Sequence, residues 1–195
     1  MILVSHRRNT IEQLRETPVE LGIEVDIRTK GQQLIIHHDP FADGVDFEEW
    51  IKDYRHRLLI LNTKEEGLEY RLLKTMAAHD IVDFFFLDQS FPFLIKTART
   101  GENRCAVRLS EFEAIETVIS LAGLVRWVWV DCFTRFPLKG AQATQLKNSG
   151  FALCLVSPEL QGRTDPEEIA AMRALLDCEG ILPDAVYTKT PAVWR

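Results

Sequence analysis

The chain has 195 residues, of which 46% are hydrophobic and 27% are charged. This composition is typical of a soluble globular protein, and it excludes a disordered chain, a collagen-like repeat and a disulfide-rich miniprotein. A net charge of −6 without any long run of Lys or Arg argues against nucleic acid as a partner. The length predicts a single domain over residues 1–195.

The apolar runs are too short to predict a transmembrane segment, because a spanning helix needs about 20 consecutive apolar residues. The opening residues MILVSHRR place the apolar run before the basic pair, which is the reverse of a secretory signal. The four cysteines stand singly, so the CxxC spacing of zinc and redox sites is absent from the sequence. We therefore expect a cytoplasmic protein with buried, unpaired cysteines: Cys105, Cys132, Cys154 and Cys178.

Eight β-rich apolar runs follow one another along the chain, separated by helical stretches. The predicted strands are residues 2–5, 22–29, 58–63, 83–87, 105–109, 126–132, 151–157 and 185–188. A further short run at 33–37 follows the turn at Thr29-Lys30-Gly31, and it predicts either a longer second strand or a hairpin with it.

Seven helical segments link these strands. They are predicted at residues 10–16, 46–54, 67–79, 91–100, 111–121, 140–148 and 166–178. Ser110 and Glu113 have the spacing of a capping box, and Asp165 stands before a first-turn proline at Pro166. These two motifs predict the helix starts most directly.

The regular alternation of strand and helix predicts parallel strands joined by right-handed crossovers. Eight such units close into a compact (β/α)8 TIM barrel. Only the residues PAVWR follow the eighth strand, so the last helix is expected to be missing or reduced to a turn. We expect the groove between the eighth and first strands to be covered by Trp194 or by a second subunit of a homo-oligomer.

The carboxyl ends of the strands are where a TIM barrel carries its chemistry. Nearly every predicted strand of this chain ends in a polar residue there: His6, Arg7, His38, Asn62, Lys64, Asp88, Arg108, Asp131, Glu159 and Lys189. For the later strands two interpretations stay open. Arg108 and its neighbours either contact substrate hydroxyl groups or form a salt-bridge network across the barrel mouth.

The second strand separates apolar from charged side chains, because side chains two apart share one face. Ile23, Val25 and Ile27 therefore point one way, and Glu24 and Asp26 point the other. If the apolar set packs against helices, the two carboxylates face the barrel interior, where a cation or metal has to neutralise them. Mg²⁺ or Ca²⁺ suits such oxygen ligands. A half-exposed strand with a hydrated polar face is the alternative.

These residues together resemble the glycerophosphodiester phosphodiesterase family, a group of TIM barrels related to the phosphatidylinositol-specific phospholipases C. The family opens with a strand ending HR and a nearby NT, here SHRRNT, and continues with an E-x-D strand and an HD end, here GIEVDIRTKGQQLIIHHD. An acid-x-Lys pair follows on the third strand, where this chain has LNTK, and a closing segment resembles AVYTKTP.

The resemblance implies metal-dependent hydrolysis of a small glycerophosphodiester-like substrate. It implies general acid and base roles for His6 and His38, and it places the substrate phosphate at Arg7 and Lys64. The divalent cation is implied at Glu24, Asp26 and Asn62. Asn62 stands where the family has an acid, so Asp88 is the alternative third ligand.

Two further departures from the family pattern concern the loops. The segment after Asp39 is too short for the larger capping insertion, and the first motif is compressed so that Arg8 is added to it. Two other functions therefore stay open. One is a catalytically inactive barrel that binds a phosphorylated ligand, and the other is a lyase that stops at a cyclic phosphate.

Overall fold

The computed structural model describes residues 1–195, apart from the side chain of Pro166. The described chain contains ten strands, which are β1 (Ile2–Ser5), β2 (Gly22–Lys30), β3 (Gln33–Ile36), β4 (Val45–Asp46), β5 (Leu59–Thr63), β6 (Phe84–Leu87), β7 (Ala106–Leu109), β8 (Trp127–Val130), β9 (Ala152–Val156) and β10 (Ala185–Thr188). Its α-helices are α1 (Ile11–Glu16), α2 (Phe47–Trp50), α3 (Glu69–Ala78), α4 (Phe91–Ala98), α5 (Ile115–Ile119), α6 (Gly140–Asn148) and α7 (Pro166–Glu179).

Eight of the strands form one parallel, curled sheet. Its ladders run in the order β6, β5, β2, β1, β10, β9, β8, β7, and β6 meets β7 again through a single parallel bridge between Phe86 and Cys105. The remaining two strands, β3 and β4, extend β2 as an antiparallel hairpin. The predicted α/β class is therefore confirmed, and the predicted eight parallel strands lie side by side in chain order.

Two clusters of buried side chains cover the two faces of this sheet. Val4, Ile60 and Phe85 lie in the cluster inside the curl, where Phe85 stacks on Trp127 with 4.7 Å between ring centroids. The larger cluster packs the other face of the strands against the helices. The alternation along each strand thus decides which residues enter the interior, and it is the interior face that leads to the polar carboxyl ends.

The last helix of the regular pattern is replaced by a short 3-10 helix, Pro191–Trp194, which lies against β1. Trp194 is only 4% exposed, and its indole nitrogen donates a hydrogen bond of 2.9 Å to Ser157 Oγ. The predicted reduction of the last helix is confirmed. Trp194 packs beneath this part of the sheet as predicted, whereas a covering second subunit stays a prediction.

Of the two helix starts predicted from capping motifs, one is confirmed and the other is wrong. Asp165 caps α7 through a hydrogen bond from the Glu167 backbone N–H, as predicted. The start predicted at Ser110 is wrong, because the Ser110 hydroxyl binds Glu113 within a turn and the helix α5 begins only at Ile115. A local polar turn therefore replaces the first helical turn here. The helix predicted at 46–54 divides into α2 and a 3-10 turn, Ile51–Asp53.

The cysteine prediction is confirmed at three positions and wrong at one. Cys105, Cys132 and Cys154 are buried, whereas Cys178 is exposed because it lies on the outer face of α7. All four are unpaired. Within the part of the chain that the structure describes, no helix has the length and apolar character required to cross a membrane.

Candidate functional site

Glu24 and Asp26 lie inside the curled sheet, near the carboxyl end of β2. Both residues are 0% exposed, while Ile23, Val25 and Ile27 pack in the cluster beneath the helices. The predicted division of the two faces of β2 is therefore confirmed. Two neighbouring buried carboxylates need hydrogen-bond donors or cations, and the structure supplies both.

Glu24 is held by three donors. The Tyr187 hydroxyl donates to Oε2 at 2.7 Å, the Arg7 backbone N–H donates to the same oxygen at 2.9 Å, and Asn62 Nδ2 donates to Oε1 at 3.0 Å. Burial, reinforced by the charge of Asp26, raises the pKa of Glu24, and the three hydrogen bonds oppose this shift.

Asp26 is compensated by cations instead. Lys64 Nζ lies 3.2 Å from Oδ1 and Arg7 Nε lies 3.4 Å from Oδ2. Asn9 adds a two-point contact, because its Nδ2 donates to Oδ2 at 2.9 Å and its Oδ1 accepts from the Asp26 backbone N–H at 3.2 Å. Arg7 and Lys64, the two residues implied for the phosphate, thus both reach this carboxylate.

His6 follows β1 and lies beside the same cluster. Its ring packs edge-on against Tyr187, with 5.3 Å between centroids and an interplanar angle of 66°. Burial, and next the charges of Arg7 and Lys189, lower the pKa of His6 to about 3. The imidazole is therefore neutral at pH 7.

His38 lies further out. Its Nδ1 is 2.7 Å from Asp39 Oδ1, its backbone carbonyl accepts from the Arg28 guanidinium, and its side chain is 40% exposed. It borders a cavity of about 780 Å³ whose lining also includes Arg7 and Asn9. The structure therefore brings His6, Glu24 and Asp26 together. His38 lies apart from them, at the border of a cavity that Arg7 also lines, and Arg7 contacts both Glu24 and Asp26.

A chain of ion pairs continues from Asp26 along the strand ends. Lys64 Nζ also lies 3.5 Å from Asp88 Oδ2, and Arg108 pairs with both Asp88 and Asp131. Burial raises the pKa of Asp131 to about 6, against the opposing charge of Arg108. Of the two interpretations of these strand ends, the contacts show a salt-bridge network for Arg108 and Asp131. Glu159 instead accepts hydrogen bonds from the Thr188 hydroxyl and the Lys189 backbone N–H. Asp88 forms ion pairs with Lys64 and Arg108.

Three residues of the site received no role from the sequence: Asn9 and Tyr187, which stand within the motifs SHRRNT and AVYTKTP, and Gln161. Gln161 Nε2 donates to Asp131 Oδ1 at 2.5 Å from a 3-10 turn, Pro158–Gln161, that no apolar pattern marks. Asn9 lies in a loop. Tyr187 could have been found, because the alternation along β10 places it on the same interior face as Ala185.

The donor atoms fit a hard divalent cation in part. No group of three or more His, Cys, Asp or Glu side chains with a metal-binding arrangement occurs among the described residues. However, Asp26 and Asn62 are direct neighbours across the β2–β5 ladder. The buried Asn62 Oδ1 lacks a hydrogen-bond partner in the described structure, and Asp26 Oδ1 has Lys64 Nζ at 3.2 Å as its neighbouring charge. A carboxylate oxygen and an amide oxygen are ligands that Mg²⁺ and Ca²⁺ accept. Asp26 and Asn62 therefore offer two oxygens of this kind, whereas both oxygens of Glu24 already accept hydrogen bonds.

Comparison with known proteins identifies the fold of this chain. No protein-family model and no curated protein matches the sequence. Among solved structures, the glycerophosphodiester phosphodiesterase from Agrobacterium tumefaciens str. C58 superposes with a TM-score of 0.69 at 13% identity, over 100% of this chain and 98% of that one. A glycerophosphoryl diester phosphodiesterase from Parabacteroides distasonis ATCC 8503 gives 0.67 at 14% identity, over 97% and 83%. The chain therefore has the fold of the glycerophosphodiester phosphodiesterases.

Proposed function

We propose that this protein is a metal-dependent phosphodiesterase that hydrolyses a small glycerophosphodiester-like substrate, and that its curled sheet closes into a compact TIM barrel. One observation supports this most strongly. Two cations, Arg7 and Lys64, reach the buried carboxylate of Asp26 beside the neutral imidazole of His6. Solved structures described as phosphodiesterases share the fold on which this cluster is built.

The proposed chemistry assigns a role to each group. Arg7 and Lys64 bind the anionic phosphodiester and orient its phosphorus. His6 accepts the proton of a substrate hydroxyl or of water, and the oxygen so activated attacks phosphorus. The bond from phosphorus to the leaving alcohol breaks, and His38 gives that oxygen a proton, so that a phosphomonoester and a free alcohol result once any cyclic phosphate is hydrolysed.

The divalent cation is proposed at Glu24, Asp26 and Asn62. When bound, such an ion offsets phosphoryl charge and lowers the pKa of an attacking hydroxyl group. The neutral amide of Asn62 binds it less strongly than a carboxylate does, so this site is expected to need higher concentrations of Mg²⁺ or Ca²⁺. In this proposal the ion takes the place of the Lys64 ammonium group at Asp26, and Lys64 moves toward the substrate phosphate.

A second candidate function has its own observation. The His38 ring is hydrogen-bonded to the neighbouring Asp39 and is 40% exposed, away from the contacts around Glu24. A protein that binds a phosphorylated ligand without turnover needs Arg7 and Lys64 but no proton donor. Arg7 and Lys64 bind the phosphate in either of the two functions.

The test uses the methyl ester of glycerol phosphate, with phosphorus NMR to follow its products. We expect release of glycerol phosphate that stops with chelator and falls at least about 100-fold in His6→Ala, the ordinary scale of a lost acid or base. His79→Ala is the matched control, because His79 is an exposed histidine at the end of α3. Turnover indifferent to both chelator and His6→Ala would refute the proposal. A cyclic phosphate as the only product would identify a lyase.

A further inference from the structure

A cleft of about 680 Å³ opens between β6 and β7, beside the proposed phosphate position. We call it the seam cleft, and its lining includes Leu87, Leu94, Ala106, Val107, Phe91 and Phe112. The two strands are joined at Phe86 and Cys105, before either reaches its carboxyl end. They separate beyond that bridge, and the cleft lies where they separate.

Residues from both faces of the sheet line the seam cleft. Leu87 and Ala106 belong to the cluster inside the curl, whereas Leu94 and Val107 belong to the cluster beneath the helices. A space bordered by residues of both clusters lies along the edge between the helix layer and the interior. A ligand bound in the interior can therefore extend a substituent sideways between the two strands.

The outer rim of the cleft is aromatic. Phe91, at the start of α4, is 50% exposed, and Phe112, in the turn before α5, is 76% exposed. Large apolar side chains that stay in water around a concave space mark a place where an apolar group binds. Neither side chain is required to pack the core, since both lie largely in solvent.

The inner end of the cleft is polar and adjoins the proposed site. Asp88 and Arg108 line it, and they form an ion pair with each other. Asp88 shares the ammonium group of Lys64 with Asp26. A phosphate held by Lys64 would thus lie at the inner mouth of the seam cleft, with the aromatic rim at the far end.

We propose that the seam cleft binds an apolar ester group of the substrate, which makes the substrate a glycerophosphodiester whose second alcohol is an alkyl or aryl alcohol. This inference rests on the proposed function and names the substrate class of the same site. The volume lies within the range of roughly 300–1,000 Å³ of small-molecule pockets. Each buried methylene strengthens binding about three- to fourfold, so a longer chain is expected to be preferred.

The experiment compares the methyl and hexyl esters of glycerol phosphate, each hydrolysed to glycerol phosphate and the free alcohol. We expect the hexyl ester to have a KM lower by at least about tenfold in the wild-type protein, the gain expected when two of its five additional methylenes are buried. Thr117 lines the cleft and is exposed, so Thr117→Trp is expected to obstruct it and to remove this preference. The matched control is Thr144→Trp, an exposed threonine on α6, which is expected to leave both KM values unchanged.

Equal KM values for the two esters, or a hexyl preference that survives in Thr117→Trp, would overturn the inference while leaving the proposed function intact. If neither ester is hydrolysed, the proposed function fails. In that case calorimetry measures how tightly the protein binds hexyl phosphate and methyl phosphate. Tighter binding of hexyl phosphate that Thr117→Trp abolishes supports it, and equal binding rejects it.

Discussion

The Tyr187 hydroxyl donates a hydrogen bond of 2.7 Å to Glu24 Oε2, which ties the last strand of the curled sheet to the second across its interior. Both groups are buried, so loss of the donor leaves a carboxyl oxygen with less compensation. We expect Tyr187→Phe to lower the free energy of unfolding by about 1–2 kcal/mol, with the ring packing retained. Urea unfolding measures this, with Tyr70→Phe on the exposed face of α3 as control. An unchanged midpoint would show that the bond contributes nothing.

The burial of Glu24 predicts how stability depends on pH. Its pKa is raised from 4.5 to about 7 in the folded chain, so between these values the folded state binds more protons than the unfolded one. Stability is therefore expected to fall as pH rises from about 4.5 to about 7 in the presence of chelator. Glu24→Gln should remove this decline, whereas Glu66→Gln, at an exposed loop position, should keep it.

Divalent cations extend this pH experiment. If Glu24, Asp26 and Asn62 bind Mg²⁺ or Ca²⁺, the ion should restore stability at pH 7 and above by favouring the ionised carboxylates. The rise in melting temperature should be absent in Glu24→Gln. If neither Mg²⁺ nor Ca²⁺ changes the melting temperature of the wild-type protein, the proposed ligand set is contradicted, and this test needs no measurement of activity.

The low pKa of His6 depends on neighbouring cations as well as on burial. Arg7, Lys189 and Arg8 all lower it, so an anion bound among them should raise it. We expect inorganic phosphate to move the His6 titration, followed by NMR of the ring protons, toward neutral pH. The ring signals of His79, exposed at the end of α3, are the control for non-specific effects of phosphate. An unchanged His6 titration at saturating phosphate would place the anion elsewhere.

Most of the fold could be predicted from the sequence because it depends on local alternation. The division of Glu24 and Asp26 from Ile23 and Val25 requires only a period of two and helices on one side. The strand at Ile2–Ser5 and the helix at Gly140–Asn148 have the predicted bounds for the same reason. These features are decided within a few residues of the chain, so a pattern can reveal them.

The contacts that complete the site are decided between distant strands. Nothing near Tyr187 in the sequence indicates a partner 163 residues away, and nothing near Lys64 indicates that it divides its charge between Asp26 and Asp88. The helix start predicted at Ser110 failed for a related reason. A polar turn competes locally with the first helical turn, and a spacing rule does not decide between them.

Asp88 restrains two cations from a strained backbone position. It has a φ of 60°, in the left-handed region, and its carboxylate faces both Lys64 and Arg108. Asn also tolerates this conformation, so Asp88→Asn should change stability by no more than about 1 kcal/mol. It leaves each cation with one carboxylate partner, Asp26 for Lys64 and Asp131 for Arg108. We expect tighter binding of inorganic phosphate, by several-fold, in calorimetry. Asp80→Asn is the matched control, since exposed Asp80 has a φ of 55° at the end of α3. Weaker phosphate binding in Asp88→Asn would show that Asp88 orients these cations for the anion.

Trp194 replaces a whole helix of the regular pattern, and this predicts a large cost for its removal. The side chain is 4% exposed, joins the cluster beneath the helices, and donates from its indole nitrogen to Ser157 Oγ. Trp194→Ala should therefore lower the free energy of unfolding by about 3–5 kcal/mol, the usual cost of deleting a large buried aromatic side chain. Val193→Ala is the control, because Val193 belongs to the same turn and is 48% exposed. Equal effects of the two substitutions in urea unfolding would mean that the turn itself covers this end of the sheet, with no special contribution from the indole.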